Sequence, residues 1–95
     1  MKKSICLSGW MCYIGSVAEF SYDVLSGKVI PSDGKLLRQF TINRGINLEG
    51  KIYYHTSFDG IFLSKSIAKQ SVEKLIAEEY NIISQEEYDK LLLMH

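Results

Sequence analysis

Apolar and polar residues alternate with a period of two through much of the first 65 positions, and with a period near 3.6 after that. The clearest case is Lys51–Lys65. There Ile52, Tyr54, Thr56 and Phe58 share one face of an extended segment, and Tyr53, His55 and Ser57 share the other. Asp59-Gly60 follows, then the apolar run Ile61-Phe62-Leu63. Asp-Gly between two such runs favours a type I′ hairpin turn, because both central residues must accept positive φ.

The same period marks Ala18, Phe20, Tyr22 and Val24 against Glu19, Ser21 and Asp23, which predicts a strand with one wet face. Ser26-Gly27 reads as its turn and Lys28-Val29-Ile30 as a short partner ended by Pro31, which lacks the N–H a central ladder needs. Ser32-Asp33-Gly34-Lys35 is the next turn. Leu36–Ile42 is a further strand with Leu36, Arg38, Phe40 and Ile42 on one face, where Arg38 is out of place. Residues 43–50 read as a loop. At the start, Ser4–Ser8 is a short strand and Gly9 a bend or bulge. Trp10-Met11-Cys12-Tyr13-Ile14 fits a buried strand or a turn of buried helix equally well.

After Lys65, Ala68, Val72, Leu75, Ile76 and Tyr80 form one stripe of an amphipathic helix. Ser64 or Ser66 is available as its N-cap, and Asn81 as a left-handed residue to end it. Ser84 followed by Glu87 is a capping box. Ile83 and Tyr88 are spaced for a hydrophobic staple, and Tyr88, Leu91 and Leu92 give this last helix its apolar face. Strands first and helices last predict an α+β fold in a single domain spanning 1–95. It comprises an antiparallel sheet of about five to six short, hairpin-connected strands, followed by two C-terminal helices packed on one face. Phe20, Tyr22, Phe40, Tyr54, Phe58, Val72, Leu75, Leu91 and Leu92 are the expected core.

Composition adds little to this. The chain has 46% hydrophobic and 23% charged residues, as a soluble domain does. Its net charge of zero gives no reason to expect nucleic acid or membrane as an obligatory partner. The charge is uneven: residues 1–65 carry eight Lys/Arg against five Asp/Glu, and residues 66–95 three against six. Cys6 and Cys12 match neither a zinc-ligand spacing nor a disulfide framework, and are expected to be reduced thiols in or near the core. Lys2-Lys3, the apolar stretch 5–14 and Ser16-Val17-Ala18 imitate a signal peptide, but Ser4, Cys6, Ser8 and Gly9 dilute it, so a cytoplasmic location is expected. No metal or other cofactor is implied.

Four functions compete. A Cys–His nucleophilic pair from Cys6 or Cys12 with His55 lacks any supporting motif. A small hydrolase or ribonuclease centred on His55, with Lys51, Arg44 and Tyr53, lacks a second titrating group unless His95 folds back. A single-stranded nucleic-acid-binding or regulatory module would use Lys28, Lys35, Arg38, Arg44 and Lys51 beside Tyr53 and His55. The pattern fits best a non-enzymatic protein-binding domain, a stoichiometric inhibitor of immunity-protein or antitoxin type that blocks a toxin or nuclease. Six tyrosines and one tryptophan are the anchor types of protein interfaces. The expected partner-binding residues are Tyr53, His55, Ser57, Lys51, Arg44 and Arg38.

Overall fold

The computed structural model describes residues 2–15, 20–30, 39–58 and 60–94. Six strands and two helices follow one another as β1 (Lys3–Ile14), β2 (Ser21–Ile30), β3 (Thr41–Ile46), β4 (Ile52–Thr56), β5 (Ile61–Phe62), α1 (Lys65–Glu79), β6 (Tyr80–Ile82) and α2 (Gln85–Leu93). The strands form one sheet in the order β5-β4-β3-β2-β1-β6. Every pairing is antiparallel except β1 with β6. This is the expected α+β class, with a mostly antiparallel sheet, five of whose six strands precede the helices.

The apolar run at 10–14 is strand. β1 continues through it, with a register shift between Leu7 and Gly9 that places an extra residue opposite β2. Gly9 has φ 101°, which a side chain would strain. Ser26 sits opposite this bulge, and its Oγ donates to the Gly9 carbonyl at 3.2 Å. Ser26-Gly27 is therefore not a turn but the middle of β2, answering an irregularity in its neighbour. That continuity also decides which face of β2 is dry. Leu25 and Val29 are buried together with Asp23, and Tyr22 faces outward at 37% exposure. The expected burial of Tyr22 was wrong, because two aliphatic residues of opposite parity hold the strand's other face in the core.

Pro31–Arg38 lies outside the described residues, so the turn at Ser32–Lys35 and the first half of the Leu36–Ile42 strand are not described. The second half agrees with expectation: Phe40 and Ile42 are both buried. β3 then runs on to Ile46, where a loop was expected, and the turn is confined to Asn47–Lys51. Asn47 Oδ1 accepts from the backbone N–H of Glu49 and of Lys51, and Gly50 has φ 79°. At the other end of β4 the connection is longer than a two-residue turn, since His55 pairs with Ile61. Ser57 explains the difference. Its N–H donates to Thr41 O, and its Oγ accepts from Thr41 N and donates to Gln39 O, so the chain stays tied to β3 past Thr56. Phe58 then turns inward, its ring centroid 5.1 Å from that of Phe40.

α1 lies across one face of the sheet, leading from the β5 edge to the β6 edge. Ala68, Val72 and Ile76 are fully buried against Ile5, Leu25, Val29, Phe40 and Ile42, with Tyr80 in the same cluster. Trp10 joins from β1: its Nε1–H donates to Glu73 Oε1 at 3.0 Å, and Lys69 Nζ lies 5.5 Å from its ring. The first turn is held by Lys65 Nζ, 2.7 Å from the buried carboxylate of Asp23. Ser64 occupies the N-cap, but its hydroxyl makes no capping bond. Helix α1 ends without a left-handed residue. Tyr80 is already extended, and Asn81 continues as the middle of β6, which pairs with Lys3–Ile5. This strand was not expected from the sequence, and three residues are too few to show a period.

The two helices do not share a face. Tyr88 of α2 packs with Cys6 and Ile30, whose parity is opposite to that of Ile5 and Val29, with Ile83 and Leu91 alongside. Helix α2 therefore covers the far side of the sheet, at the corner where β1 and β2 meet. The cap works as expected, with Ser84 Oγ accepting from the Glu87 N–H at 3.1 Å, and Ile83 and Tyr88 meet as a staple. Leu92 is exposed rather than buried, because Tyr88 and Leu91 already fill the small contact. Both cysteines are free thiols. Cys6 is buried and donates to Gln85 Oε1 at 3.4 Å, whereas Cys12 is exposed, although both were expected in or near the core.

Two outcomes test these supports. Ser84→Ala is expected to lower stability by about 1 kcal/mol in urea denaturation, the usual worth of such a cap. Hydrogen bonding to Asp23, with its negative charge, raises the Lys65 pKa above the ordinary 10.5. A raised lysine stabilises the fold fully below that value and loses the effect as pH climbs through the folded pKa. Lys65→Met is therefore expected to be less stable than wild type at neutral pH, with the gap closing above pH 10.5; denaturation midpoints across that range measure it.

Candidate functional site

Since α2 occupies only one corner, most of the sheet's second face is open among the described residues. Strand register aligns five residues in a row across it: Tyr13 opposite Tyr22, Tyr22 opposite Asn43, Asn43 opposite His55, and His55 opposite Ile61. Tyr13, Tyr22 and Ile61 are exposed. A groove of about 530 Å³ runs beside the first half of this row, lined by Tyr13, Tyr22, Val24, Gln39, Thr41 and Asn43. A second of about 460 Å³ flanks the other half, lined by Ile46, Asn47, Leu48, Tyr53, Ile61 and Leu63. Tyr53 stacks on His55, with ring centroids 6.0 Å apart and planes at 29°.

Tyr53 owes its position to Gly45, directly across on β3. A Cβ at Gly45 would fall 2.5 Å from Tyr53 Cζ, so the missing side chain is what lets the ring lie down on the sheet. Asn43 is unusual in another way. Its Oδ1 is buried with no hydrogen-bond partner among the described residues. Such an acceptor costs about 1–3 kcal/mol unless a donor reaches it.

The expected site residues fare unequally. Tyr53 and His55 lie side by side on the open face. Ser57 is exposed, but its hydroxyl is committed to the β3–β4 connection. Arg44 pairs with Tyr54, on the helix side of the sheet, so it belongs to the opposite surface from His55. Lys51 is exposed in the turn before β4, and Arg38 lies outside the described residues. The register of β3 separates the arginine from the aromatic pair, because neighbours in a strand point to opposite faces. Tyr13, Tyr22, Asn43, Thr41 and Gln39 were missed. Alternation puts Tyr22 on the buried side of its strand, Tyr13 lies in a run with no readable period, and residues 43–46 read as loop.

Cys12 pairs with Asp23, whose partner Ile42 pairs with Thr56, so Cys12 and His55 are on opposite faces and form no nucleophilic pair. No described side chain hydrogen-bonds the His55 imidazole, and the described residues contain no cluster of three or more His, Cys, Asp or Glu that could hold a metal. His95 lies outside the described residues. No helix among the described residues is long and apolar enough to cross a membrane. Comparison with protein-family models, with characterised proteins and with solved structures finds no match to this chain.

Gly45→Ala is expected to displace the Tyr53 ring and raise its accessibility. Tyrosine fluorescence quenching or the Tyr53 ring resonances would register the change.

Proposed function

We propose that this chain is a non-enzymatic, cytoplasmic protein-binding domain that acts by stoichiometric capture of a protein partner, in its most concrete form an immunity-type inhibitor or antitoxin covering the active site of a toxin or nuclease. The observation that carries the reading is the row Tyr13–Tyr22–Asn43–His55–Ile61 on a sheet face that α2 leaves open. Exposed tyrosines on a rigid sheet supply ring area at low entropic cost, and their hydroxyls still find polar partners. Asn43 sits in the middle of that row and lines the first groove beside Tyr13 and Tyr22.

Single-stranded nucleic acid is the second reading, and the arrangement favours it less. Of the five cations that reading needs, Arg44 lies on the helix side and Lys28 is directed to the Tyr88 ring, 5.9 Å from its centroid, Lys51 is exposed in the turn before β4, and Lys35 and Arg38 lie outside the described residues. A hydrolase at His55 finds no hydrogen-bonded base or orienting group beside the imidazole among the described residues.

The test is to recover the chain with its partner from its own source and then compare variants. Tyr22→Ala and Tyr53→Ala are each expected to weaken the complex by tenfold or more with the circular dichroism spectrum intact, and His55→Gln to be tolerated at neutral pH. Tight binding of a single-stranded oligonucleotide, falling steeply with added salt, would instead establish the second reading.

A further inference from the structure

β1 is the longest strand of the sheet, twelve residues, but β6 pairs only with Lys3–Ile5. The final contact on that side is the Ile83 N–H donating to Ile5 O. Beyond it, the outer edge of β1 has no partner strand among the described residues. Unpaired edges invite further strands, and proteins normally blunt them with short strands, lysines or prolines. The sheet does so at its other limits, where β5 has two residues and β6 three. Leu7–Ile14 is different. It contains no charged residue and no proline, and Met11, Tyr13 and Ile14 are exposed along it.

We propose that this edge is a homodimer interface, where β1 of a second copy adds antiparallel to β1 of the first. The sequence of the edge is what selects a second copy over another partner. The bulge between Leu7 and Gly9 interrupts the ladder, so the regular stretch is Trp10–Ile14 with Cys12 at its centre. A two-fold axis at Cys12 sets Trp10 opposite Ile14 of the second copy and Met11 opposite its Tyr13, with the two Cys12 residues facing one another. Each pair joins an aromatic ring to an aliphatic or thioether side chain, and no charge meets a like charge. Trp10 and Ile14 lie on the side carrying α1, whereas Met11 and Tyr13 lie on the open side, so both surfaces of the new pairing are apolar.

The strand is also ready to pair. Trp10 is held from α1 by the Glu73 carboxylate and beneath Lys69, which fixes the edge before the second copy arrives. An axis of this kind runs perpendicular to the sheet and therefore keeps like faces together. Two six-stranded sheets become continuous, with both open faces on the same side and the two Tyr13–Tyr22 pairs next to one another. This proposal does not depend on what the open face binds.

Sedimentation equilibrium of the intact chain is expected to return twice the 10.8 kDa chain mass, with dissociation on dilution. Cys12→Lys sets two lysines against each other on the axis and should weaken the dimer tenfold or more without altering the circular dichroism spectrum, since Cys12 is exposed. A short bis-maleimide, alkylating one thiol at each end, should join two wild-type chains through Cys12–Cys12, identified by peptide mass, because residues directly opposite in such a pair have Cβ atoms about 4.5–5.5 Å apart. Three results would overturn the proposal. One is a monomer mass at all accessible concentrations. Another is a dimer indifferent to Cys12→Lys or not joined through Cys12. The third is a monomer that captures an extended peptide on this edge, which makes the edge a docking site for a different chain.

Discussion

Burial of the apolar stripe of α1 against one face of the sheet is the constraint on which the rest of the molecule depends. Ala68, Val72 and Ile76 have no accessible surface and neither do Val29 and Phe40 facing them. Ala68 keeps the helix close to the strands, and the aliphatic residues on both sides supply the area removed from water that drives folding. A helix of fifteen residues is about 22 Å long, enough to carry the chain from the β5 edge to the β6 edge. The parallel pairing of β6 with β1 follows from that crossing. So does the position of α2, which starts at the β6 edge and folds over the corner of the opposite face.

The same constraint leaves surface uncovered. One long helix shields one face, and among the described residues the short α2 shields only the corner around Cys6 and Ile30 on the other. The strands are also staggered: Tyr22–Val24 of β2 pair with Asn43–Thr41 of β3, and the Leu25 N–H donates to Phe40 O, so the far end of β3 runs past the start of β2. The radius of gyration is 15.3 Å against about 12 Å for a typical compact chain of this length, with a long dimension of 54 Å. Stagger spreads a small core along an extended sheet. Both the tyrosine row and the free edge of β1 are products of that geometry, and they leave Tyr13, Ile14, Ile61 and Leu63 with large exposed areas.

Asp23 illustrates how local pattern and tertiary position can disagree. Alternation alone places Asp23 on the wet side of its strand, along with Glu19 and Ser21. The aspartate is buried because Leu25 and Val29 share its parity, and because Lys65, at the start of α1, reaches it from forty-two positions along the chain. A buried carboxylate is tolerable when a cation and hydrogen bond accompany it. No property of residues 18–24 reports that such a cation is near.

What the sequence determined by itself is therefore local. The change of period at Lys65, the stripe Ala68–Val72–Ile76, the cap at Ser84 with its Ile83–Tyr88 staple, and the bulge at Gly9 are encoded within a few residues of where they act. Each could be read without knowing the partner element. The opposing faces of β4 were legible for the same reason, and Tyr53 and His55 were found that way. The rest was decided only when elements met. The dry face of β2, the path of the chain past Ser26-Gly27, the strand at Tyr80–Ile82, the side taken by α2 and the separation of Arg44 from His55 all depend on which surface a neighbour had already covered. Side-chain alternation says that a strand has two faces, but it carries no information about which one a helix far along the chain will bury.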